Sequence, residues 1–246
     1  MRLADVHAVI LAGGLGTRLR SVLPQAPKPM APVEGRPFVE WVARWLAASG
    51  VRAATVSTGY RGEMIARHFT ASAVPGIAVD CVREARPLGT AGGFLHAARA
   101  SHRTPRGWLV LNGDSLALAS LGALLERLER GAADAAIVAC RVADAGRYGR
   151  LDVGPDGRLR RFAEKMPADE GPGLINAGVY VIRHALLERF PDREPLSFEH
   201  DVFPAWLVGG IPIAVSESDD PFLDIGTAAS LRLADGFIRH HRERFA

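Results

Sequence analysis

The chain has 246 residues, 48% of them hydrophobic, which is enough to bury the core of one α/β domain. Its 30 basic and 27 acidic residues leave a formal charge of +3 without a basic tract, which argues against a nucleic-acid partner. It has neither a signal peptide nor an apolar run of the roughly 20 residues that a membrane span needs, so we expect a cytoplasmic protein with no membrane partner. Cys81 and Cys140 lack metal-ligand spacing, so we expect both to be reduced thiols.

Apolar periodicity predicts strands that alternate with helices along most of the chain. The predicted strands are His7–Ala12, Ala53–Ser57, Ala78–Val82, Trp108–Leu111, Ala135–Arg141 and Ile211–Val215. The predicted helices are 36–49, Gly62–Phe69, Phe94–Ala100, Ser120–Arg130, 197–204 and Ala228–Phe245. Turn residues between Tyr148–Val153 and Arg158–Phe162 predict an antiparallel hairpin. This order predicts a Rossmann-like α/β fold, a mixed and mostly parallel sheet flanked by helices, in one domain over residues 1–246.

A glycine-rich loop follows the first predicted strand and contains Gly13, Gly14 and Gly16. Such a loop turns tightly and presents several backbone N–H groups to an anion. Arg18 and Lys28 add positive charge that an apolar strand and its loop do not otherwise require. The segment therefore predicts a site for the phosphates of a nucleotide.

Two commoner glycine loops do not match this segment. A dinucleotide-binding fingerprint would need a third glycine where Leu19 stands, and an acidic residue at the end of the second strand, where 54–58 has none. A P-loop would close on Gly-Lys-Ser/Thr, whereas Gly16 is followed by Thr17 and Arg18. A different phosphate chemistry is indicated.

The segment Leu11–Leu19, followed by Pro27–Pro29, resembles the signature of sugar-1-phosphate nucleotidyltransferases. Further motifs of that family recur in the family's order: Pro87–Gly92, Asn112–Asp114, Glu164–Lys165, Asn176–Gly178 and Asp224–Thr227. The resemblance covers nearly the whole chain and is greatest to D-glycero-D-manno-heptose 1-phosphate guanylyltransferases. It implies the nucleotide-diphospho-sugar transferase fold, with a nucleotide-binding part at roughly 1–115 and a sugar-binding part at roughly 116–246.

The resemblance also implies which residues bind the nucleotide. Those on the first strand and its glycine loop are Leu11, Ala12, Gly13, Gly14, Gly16, Thr17 and Arg18. Those beyond the loop are Glu84, Pro87, Gly89, Thr90 and Asn112. A carboxylate accepts from two adjacent donors, which guanine offers at N1 and N2 and which uracil and thymine lack, so Glu84 at the base edge favours GTP.

Two acidic residues predict a Mg²⁺ site. Asp114 follows the strand Trp108–Leu111, at the carboxyl edge of the sheet where ligands bind, and Asp224 precedes a turn into the last helix. Thr227 can cap that helix, which leaves Asp224 for another role. Two carboxylates together with phosphate oxygens and water suit Mg²⁺, which prefers oxygen ligands.

The resemblance assigns the sugar side to later motifs. Glu164 would accept from a sugar hydroxyl, Lys165 would hold the sugar phosphate, and Asn176 would bond ring hydroxyls. Gly113 and Gly178 complete the substrate-binding residues that it implies.

The reaction implied is attack by the sugar 1-phosphate oxygen on the α-phosphorus of a nucleoside triphosphate, with Arg18, Lys28 and Asp114 catalytic. Mannose-1-phosphate guanylyltransferase, and glucose- or N-acetylmuramate-1-phosphate transferases that use dTTP or UTP, are the alternatives. A non-catalytic nucleotide-sugar-binding regulatory subunit is the alternative of another class. The chain argues against it by retaining Arg18, Lys28, Asp114 and Asp224.

Relatives are often oligomers, which implies a homodimer or larger homo-oligomer. Some carry a further β-helix domain; this chain stops before one, so we expect no acetyl transfer.

Overall fold

The computed structural model describes residues 1–14, 16, 19, 22–146, 148–163 and 171–246. The strands within them are β1 Val6–Ala12, β2 Pro32–Val33, β3 Arg36–Pro37, β4 Ala53–Thr58, β5 Ala78–Arg83, β6 Gly107–Asn112, β7 Ser115–Ala117, β8 Ala135–Val142, β9 Arg150–Val153, β10 Leu159–Ala163, β11 Gly173–Arg183, β12 Ile213–Ser218 and β13 Phe222–Asp224. The α-helices are α1 Phe38–Ala48, α2 Gly62–Ala71, α3 Gly89–Ala100, α4 Leu121–Arg130, α5 Phe203–Val208 and α6 Ala228–His240, and one π-helical turn, Phe198–Val202, leads into α5. None of these helices has the length and apolar character that crossing a bilayer requires.

One sheet contains strands from both predicted parts of the chain, in the order β5-β4-β1-β6-β11-β8-β12. β1 is parallel to β4 and β6, and β4 is parallel to β5. β11 is antiparallel to both β6 and β8, whereas β12 is parallel to β8, so every strand in this series except β11 runs in one direction. The antiparallel pair of β9 and β10 adjoins β11. The mixed, mostly parallel sheet predicted from the sequence is confirmed.

Helices cover both faces of the sheet because its strands are apolar on both sides. Along β1, Ala8 and Ile10 pack with α1, α2, α4 and α6, while Val9 packs with α3 and α5 on the other face. The apolar residues that predicted α1 are all buried on its inner face: Phe38, Trp41, Val42, Trp45 and Leu46. The two tryptophans of this helix therefore serve the core, as their helical spacing predicted.

Parallel register brings the ends of four strands to one edge of the sheet. Ala12 of β1 lies beside Thr58 of β4 and Thr58 beside Arg83 of β5, while Leu11 lies beside Asn112 of β6. The residues that follow these strands include the glycine loop, Glu84 and Asp114. They also include the segment 86–92, which we call the base loop after the role that the family resemblance implies for it. Ligands of open α/β sheets bind at this carboxyl edge.

Several boundaries differ from those predicted. Arg36 and Pro37 form β3 rather than the first turn of α1. α3 begins at Gly89 instead of Phe94, because Leu196, distant in sequence, accepts hydrogen bonds from the N–H groups of the glycine-rich first turn. The strands β7 and β13 were not predicted at all, since three residues are too few to show alternation.

Candidate active site

A cavity of about 380 Å³ opens over the glycine loop at the carboxyl edge of the sheet. Ten residues predicted to bind the nucleotide line it: Leu11, Ala12, Gly13, Gly14, Gly16, Glu84, Pro87, Gly89, Thr90 and Asn112. Lys28 and Asp114 line it as well. The predicted contacts of Thr17 and Arg18 lie outside the residues that the structure describes. The structure thus gathers the described part of the predicted nucleotide site around one cavity.

Glu84 connects two of the segments that surround this cavity. Its side chain is buried, and its Oε1 accepts from Ser57 Oγ at 2.8 Å while its Oε2 accepts from Leu88 N at 3.2 Å. A Cβ at Gly13 would overlap Oε1, and a Cβ at Gly93 would lie 2.7 Å from it. The carboxylate therefore ties β4 to the base loop beneath the glycine loop, which explains two of the glycines. Its predicted contact with the base stays a prediction.

The base loop enters α3 at a glycine that no other residue can replace without strain. Gly89 has a φ of +80°, and a Cβ there would overlap the carbonyl oxygen of Leu196. Leu196 N donates to Leu88 O at 2.8 Å on the other side of the same contact. The start of α3 therefore packs directly against the backbone of Leu196.

Lys28 and Asp114 form an ion pair at the end of the cavity next to Gly16. Lys28 Nζ donates to Asp114 Oδ2 at 2.6 Å, with 11% of the lysine side chain and 39% of the aspartate side chain exposed. A single turn of 3₁₀-helix, Lys28–Met30, delivers the lysine after the glycine loop. Two of the three predicted catalytic residues are therefore in direct contact; Arg18 is outside the described residues.

The second predicted metal ligand lies beside the first because of two short strands. β13 pairs with β7 so that Asp224 faces Ser115, and Ile225 N donates to Asp114 O at 2.9 Å. Asp224 Oδ1 accepts from Gly226 N at 2.7 Å. A Cβ at Gly226 would lie 3.7 Å from Lys28 Nζ, which places the turn after Asp224 next to the lysine.

Tyr148 orients Asp224, and sequence reasoning missed this role. Its hydroxyl donates to Asp224 Oδ2, and its ring packs edge-on against Phe222 at 5.7 Å. In the sequence Tyr148 gave only the signal of a strand start. Thr227 caps α6 through Ser230 N, so Asp224 does not serve as the cap of that helix, as predicted.

Two carboxylates are a sufficient protein contribution for magnesium. In the described part of the chain, no cluster of three or more His, Cys, Asp or Glu side chains is placed to hold a metal. Mg²⁺ keeps several waters and is bound through one or two carboxylates plus substrate phosphates. The donor set of Asp114 and Asp224, all oxygen and beside a phosphate-sized cavity, fits that ion.

Three of the predicted sugar-side residues lie on β11 or directly after β6: Asn176, Gly178 and Gly113. Gly178, with a φ of +72°, sits at an irregularity in the pairing of β11, where a Cβ would overlap the amide of Asn112. Gly113 N donates to Leu11 O at 2.8 Å and closes the end of β6 against β1. The predicted roles of Glu164 and Lys165 fall on residues that the structure does not describe.

Asn176 is held by its own strand. Its Nδ2 donates to Tyr180 OH at 2.7 Å, and its Oδ1 accepts from Gly178 N at 2.9 Å. Tyr180 OH in turn donates to Glu199 Oε1 at 3.2 Å. Burial, aided by the negative charge of Glu199, raises the pKa of Tyr180 well above 10, so the phenol keeps its proton. Sequence reasoning read Glu199 only as part of a capped short helix.

These features define an α/β protein with a cavity over a glycine loop, lined by a lysine and an aspartate, and with a second aspartate on the nearby strand β13. The chain matches the Nucleotidyl transferase family over residues 7–240. It is 35% identical over 241 residues to a D-glycero-alpha-D-manno-heptose 1-phosphate guanylyltransferase of Aneurinibacillus thermoaerophilus, covering 96% of this chain and 100% of that protein. The chain therefore belongs to the nucleotidyl transferase family, as the sequence motifs predicted.

Two further relatives bear on the site. A mannose-1-phosphate guanylyltransferase of Mycobacterium tuberculosis is also 35% identical, over 84% of this chain but only 56% of that protein. The crystal structure of HddC from Yersinia pseudotuberculosis complexed with GMP-PN superimposes with a TM-score of 0.82 at 30% identity, covering 94% of this chain and 99% of that one.

Proposed function

We propose that this protein joins GTP to D-glycero-D-manno-heptose 1-phosphate, giving the GDP-heptose and pyrophosphate. The observation that carries the proposal is the contact of Lys28 with Asp114 at the end of the cavity next to Gly16, with Asp224 on the neighbouring strand. A binding protein for neutral ligands would have no use for this concentration of charge beside a glycine loop.

The proposed reaction needs little acid-base chemistry. An oxygen of the sugar 1-phosphate forms a bond to the α-phosphorus, the bond from that phosphorus to the α,β-bridging oxygen breaks, and pyrophosphate leaves with the electron pair. The nucleophile is already an anion at neutral pH. The protein therefore has to align two mutually repelling polyanions and neutralise the charge that develops on the leaving group.

The chain's own groups supply that alignment. The glycine loop offers backbone N–H groups to the triphosphate, and Lys28 lies within the same cavity with its ammonium on Asp114. Arg18 follows the loop in sequence, and its role as a second cation stays part of the proposal. Tyr148 holds the carboxylate of Asp224 in one orientation.

We include Mg²⁺ in the proposal, held by Asp114 and Asp224. When bound, the ion supplies positive charge against the phosphates of both substrates. The protein prepares for it by placing Asp224 at the end of β13 and Asp114 directly before the paired strand β7. Each carboxylate is oriented by a hydrogen bond, from Lys28 to Asp114 and from Tyr148 to Asp224.

The choice of heptose over mannose rests on the extent of the matches. The heptose-specific relative from A. thermoaerophilus corresponds to this chain end to end, whereas the mannose-specific relative is nearly twice the matched length. Guanine as the base is supported by both names and by the GMP-PN in the HddC structure. Mannose 1-phosphate is the alternative sugar.

The test is a substrate matrix. GTP, UTP, dTTP, ATP and CTP are each incubated with heptose, mannose, glucose and N-acetylmuramate 1-phosphates, and pyrophosphate release is measured with Mg²⁺ and with excess EDTA. We expect the highest kcat/KM for GTP with the heptose phosphate, and loss of turnover in EDTA. Asp114→Asn, purified identically, serves as the control for contaminating activity.

Two results would overturn the proposal in different ways. A higher kcat/KM with mannose 1-phosphate would move the sugar assignment to the alternative. Nucleotide binding by calorimetry without pyrophosphate release from any pair would instead indicate a non-catalytic regulatory subunit.

A further inference from the structure

A short segment after residue 195 is seated directly on the nucleotide side of the cavity. Leu196 O accepts from Ala91 N at 2.9 Å and from Gly92 N at 3.1 Å, in the first turn of α3. Two residues later, Phe198 N donates to Thr90 Oγ1 at 2.9 Å. This segment is therefore held against the base loop by three hydrogen bonds, two between backbone groups and one to the Thr90 hydroxyl.

Glu199 extends the same segment toward the sugar side. Its Oε2 accepts from Thr90 Oγ1 at 3.0 Å and from Ser197 Oγ at 2.8 Å. Its Oε1 accepts from Tyr180 OH at 3.2 Å, in the middle of β11. One carboxylate thus receives hydrogen bonds from the base loop through one oxygen and from the sugar-side strand through the other.

The hydrogen bonds beyond Tyr180 lead to the sugar side of the site. Asn176 Nδ2 donates to the tyrosine oxygen, and Asn176 Oδ1 accepts from Gly178 N, beside Asn112. Because the phenol is buried and protonated, it accepts from Asn176 and donates to Glu199. The direction of every hydrogen bond from Gly178 to Glu199 is therefore determined.

We propose that Glu199 is a positioning residue that couples the base loop to the sugar-binding strand, so that the two substrates are aligned with each other. The inference rests on the proposed function. It deepens it by assigning substrate alignment to a side chain that lies outside the lining of the nucleotide cavity.

The hydrogen bonds at position 199 favour a glutamate over the similar residues glutamine and aspartate. Three hydroxyl donors converge on two oxygens that donate nothing. A glutamine has one acceptor oxygen and an NH₂ group, so either the Tyr180 or the Thr90 hydroxyl would lose its acceptor. An aspartate is one methylene shorter, so it would not reach both Thr90 on α3 and Tyr180 on β11 from the same backbone position.

The first test is kinetic. In Glu199→Gln we expect KM to rise about 5- to 30-fold for both GTP and the sugar 1-phosphate, the scale of one buried hydroxyl left without its acceptor. Thr90→Val should raise KM for the sugar phosphate although Thr90 lies on the nucleotide side, and this cross-effect should shrink below twofold when Glu199→Gln is already present.

A matched control separates alignment from folding. Asp201→Asn weakens the same segment, because Asp201 accepts from Ser197 N at 2.8 Å and pairs with Arg193 at 2.9 Å, but Asp201 contacts neither half of the site. We expect this variant to lower the melting temperature with both KM values within about twofold of wild type. Equal kinetic effects in the two variants would show that Glu199 acts through stability alone.

A second measurement does not depend on turnover. Without ligand, Glu199→Gln should increase amide hydrogen exchange both in peptides covering 87–93 and in peptides covering 174–180, whereas Asp201→Asn should affect only 196–202. Faster exchange in only one of the two regions would overturn the coupling. Failure of the wild type to release pyrophosphate would overturn the proposed function and leave this exchange result to decide the inference.

Discussion

Lys28 neutralises the charge of Asp114 and also joins two distant parts of the chain. It reaches across the cavity from the segment after the glycine loop and contacts Asp114, which follows β6, so it joins two parts of the chain that are 86 residues apart. A lysine ammonium is a compact charge with three donors, so its bond to Asp114 leaves donors for the phosphate oxygens of the proposed nucleotide. The proposed function requires both contacts.

Replacing Lys28 by methionine tests this role. The variant keeps the length of the side chain and removes its charge, so we expect kcat/KM to fall about 100- to 1,000-fold, as for the loss of one preorganised transition-state contact. The measurement is initial-rate kinetics beside circular dichroism. A loss below threefold with an unchanged spectrum would contradict the assignment.

The glycine loop offers a second test at the same scale. In Gly13→Ala the new methyl group would overlap Glu84 Oε1, whose position is held by Ser57 and Leu88, so we expect a loss of about 1–3 kcal/mol in unfolding free energy. The measurement is urea denaturation.

Gly14→Ala is the matched control for that change. No atom of the described residues lies within 4 Å of the position its Cβ would take. We expect stability within about 0.5 kcal/mol of wild type. Equal destabilisation by both substitutions would show that the loop needs glycine for backbone freedom rather than for the approach of Glu84.

At the scale of elements, one buried carboxylate joins α1 to α2. Glu40 is 2% exposed, and its Oε1 accepts from Arg36 at 2.7 Å and from Arg44 at 2.8 Å. Its Oε2 lies 2.9 Å from His68 Nε2 on α2. Burial by itself would raise the pKa of Glu40, but hydrogen bonds and charge from Arg44, Arg36 and His68 outweigh it, so the pKa is lowered.

Glu40→Gln should therefore destabilise the packing of α1 and α2. Removing the charge leaves two arginines without their shared partner, and we expect a loss of about 1–3 kcal/mol at neutral pH. Because the folded-state pKa is the lower one, this stabilisation is present above the unfolded-state pKa and is lost as pH falls through the folded-state value. Denaturation at pH 7 measures the difference.

Glu126→Gln on α4 is the control for Glu40. Glu126 pairs with Arg130 at 3.1 Å, but both side chains are more than 60% exposed. We expect a change within about 0.5 kcal/mol, since solvent screens such a pair. A comparable loss from both substitutions would mean that helical charge, rather than the buried cluster, sets the effect.

At the scale of the whole molecule, the sheet centre contains a buried histidine that makes folding sensitive to acid. His7 on β1 shares a hydrogen bond of 2.8 Å with Thr55 Oγ1 on β4 and packs edge-on against Trp108 on β6 at 5.6 Å. Burial lowers the pKa of His7 from 6.5 to about 4. The folded protein therefore excludes a proton that the unfolded chain binds.

The sign of the pH effect follows from this difference. Stability from His7 is fully present above pH 6.5 and is lost as pH falls toward 4, by up to about 1.4 kcal/mol per pH unit and about 3 kcal/mol in all. In His7→Gln the unfolding free energy should depend less steeply on pH between 6.5 and 4, by the equivalent of about one bound proton. Urea denaturation at half-unit intervals measures both slopes, and identical slopes would contradict the prediction.

The sequence by itself determined the class of fold and most of the residues that line the cavity. Apolar runs such as Val6–Ala12 and Trp108–Leu111 form buried parallel strands because burial on both faces leaves a continuous hydrophobic signal. The glycine loop, Glu84, Thr90 and Asn112 follow strand ends, and parallel strands bring their ends to one edge. The local motifs and the sheet topology agree there, so the order of motifs in the sequence predicted which residues lie around the cavity.

Only the tertiary structure decided the arrangements that depend on distant contacts. β7 and β13 are too short to leave a pattern, yet their pairing brings Asp224 beside Asp114. α3 begins at Gly89 because Leu196 satisfies its first N–H groups, and Glu199 meets Thr90 and Tyr180 only after the chain has folded back over α3. Sequence periodicity reports which side chains are buried locally, whereas these contacts arise from where remote backbone segments meet.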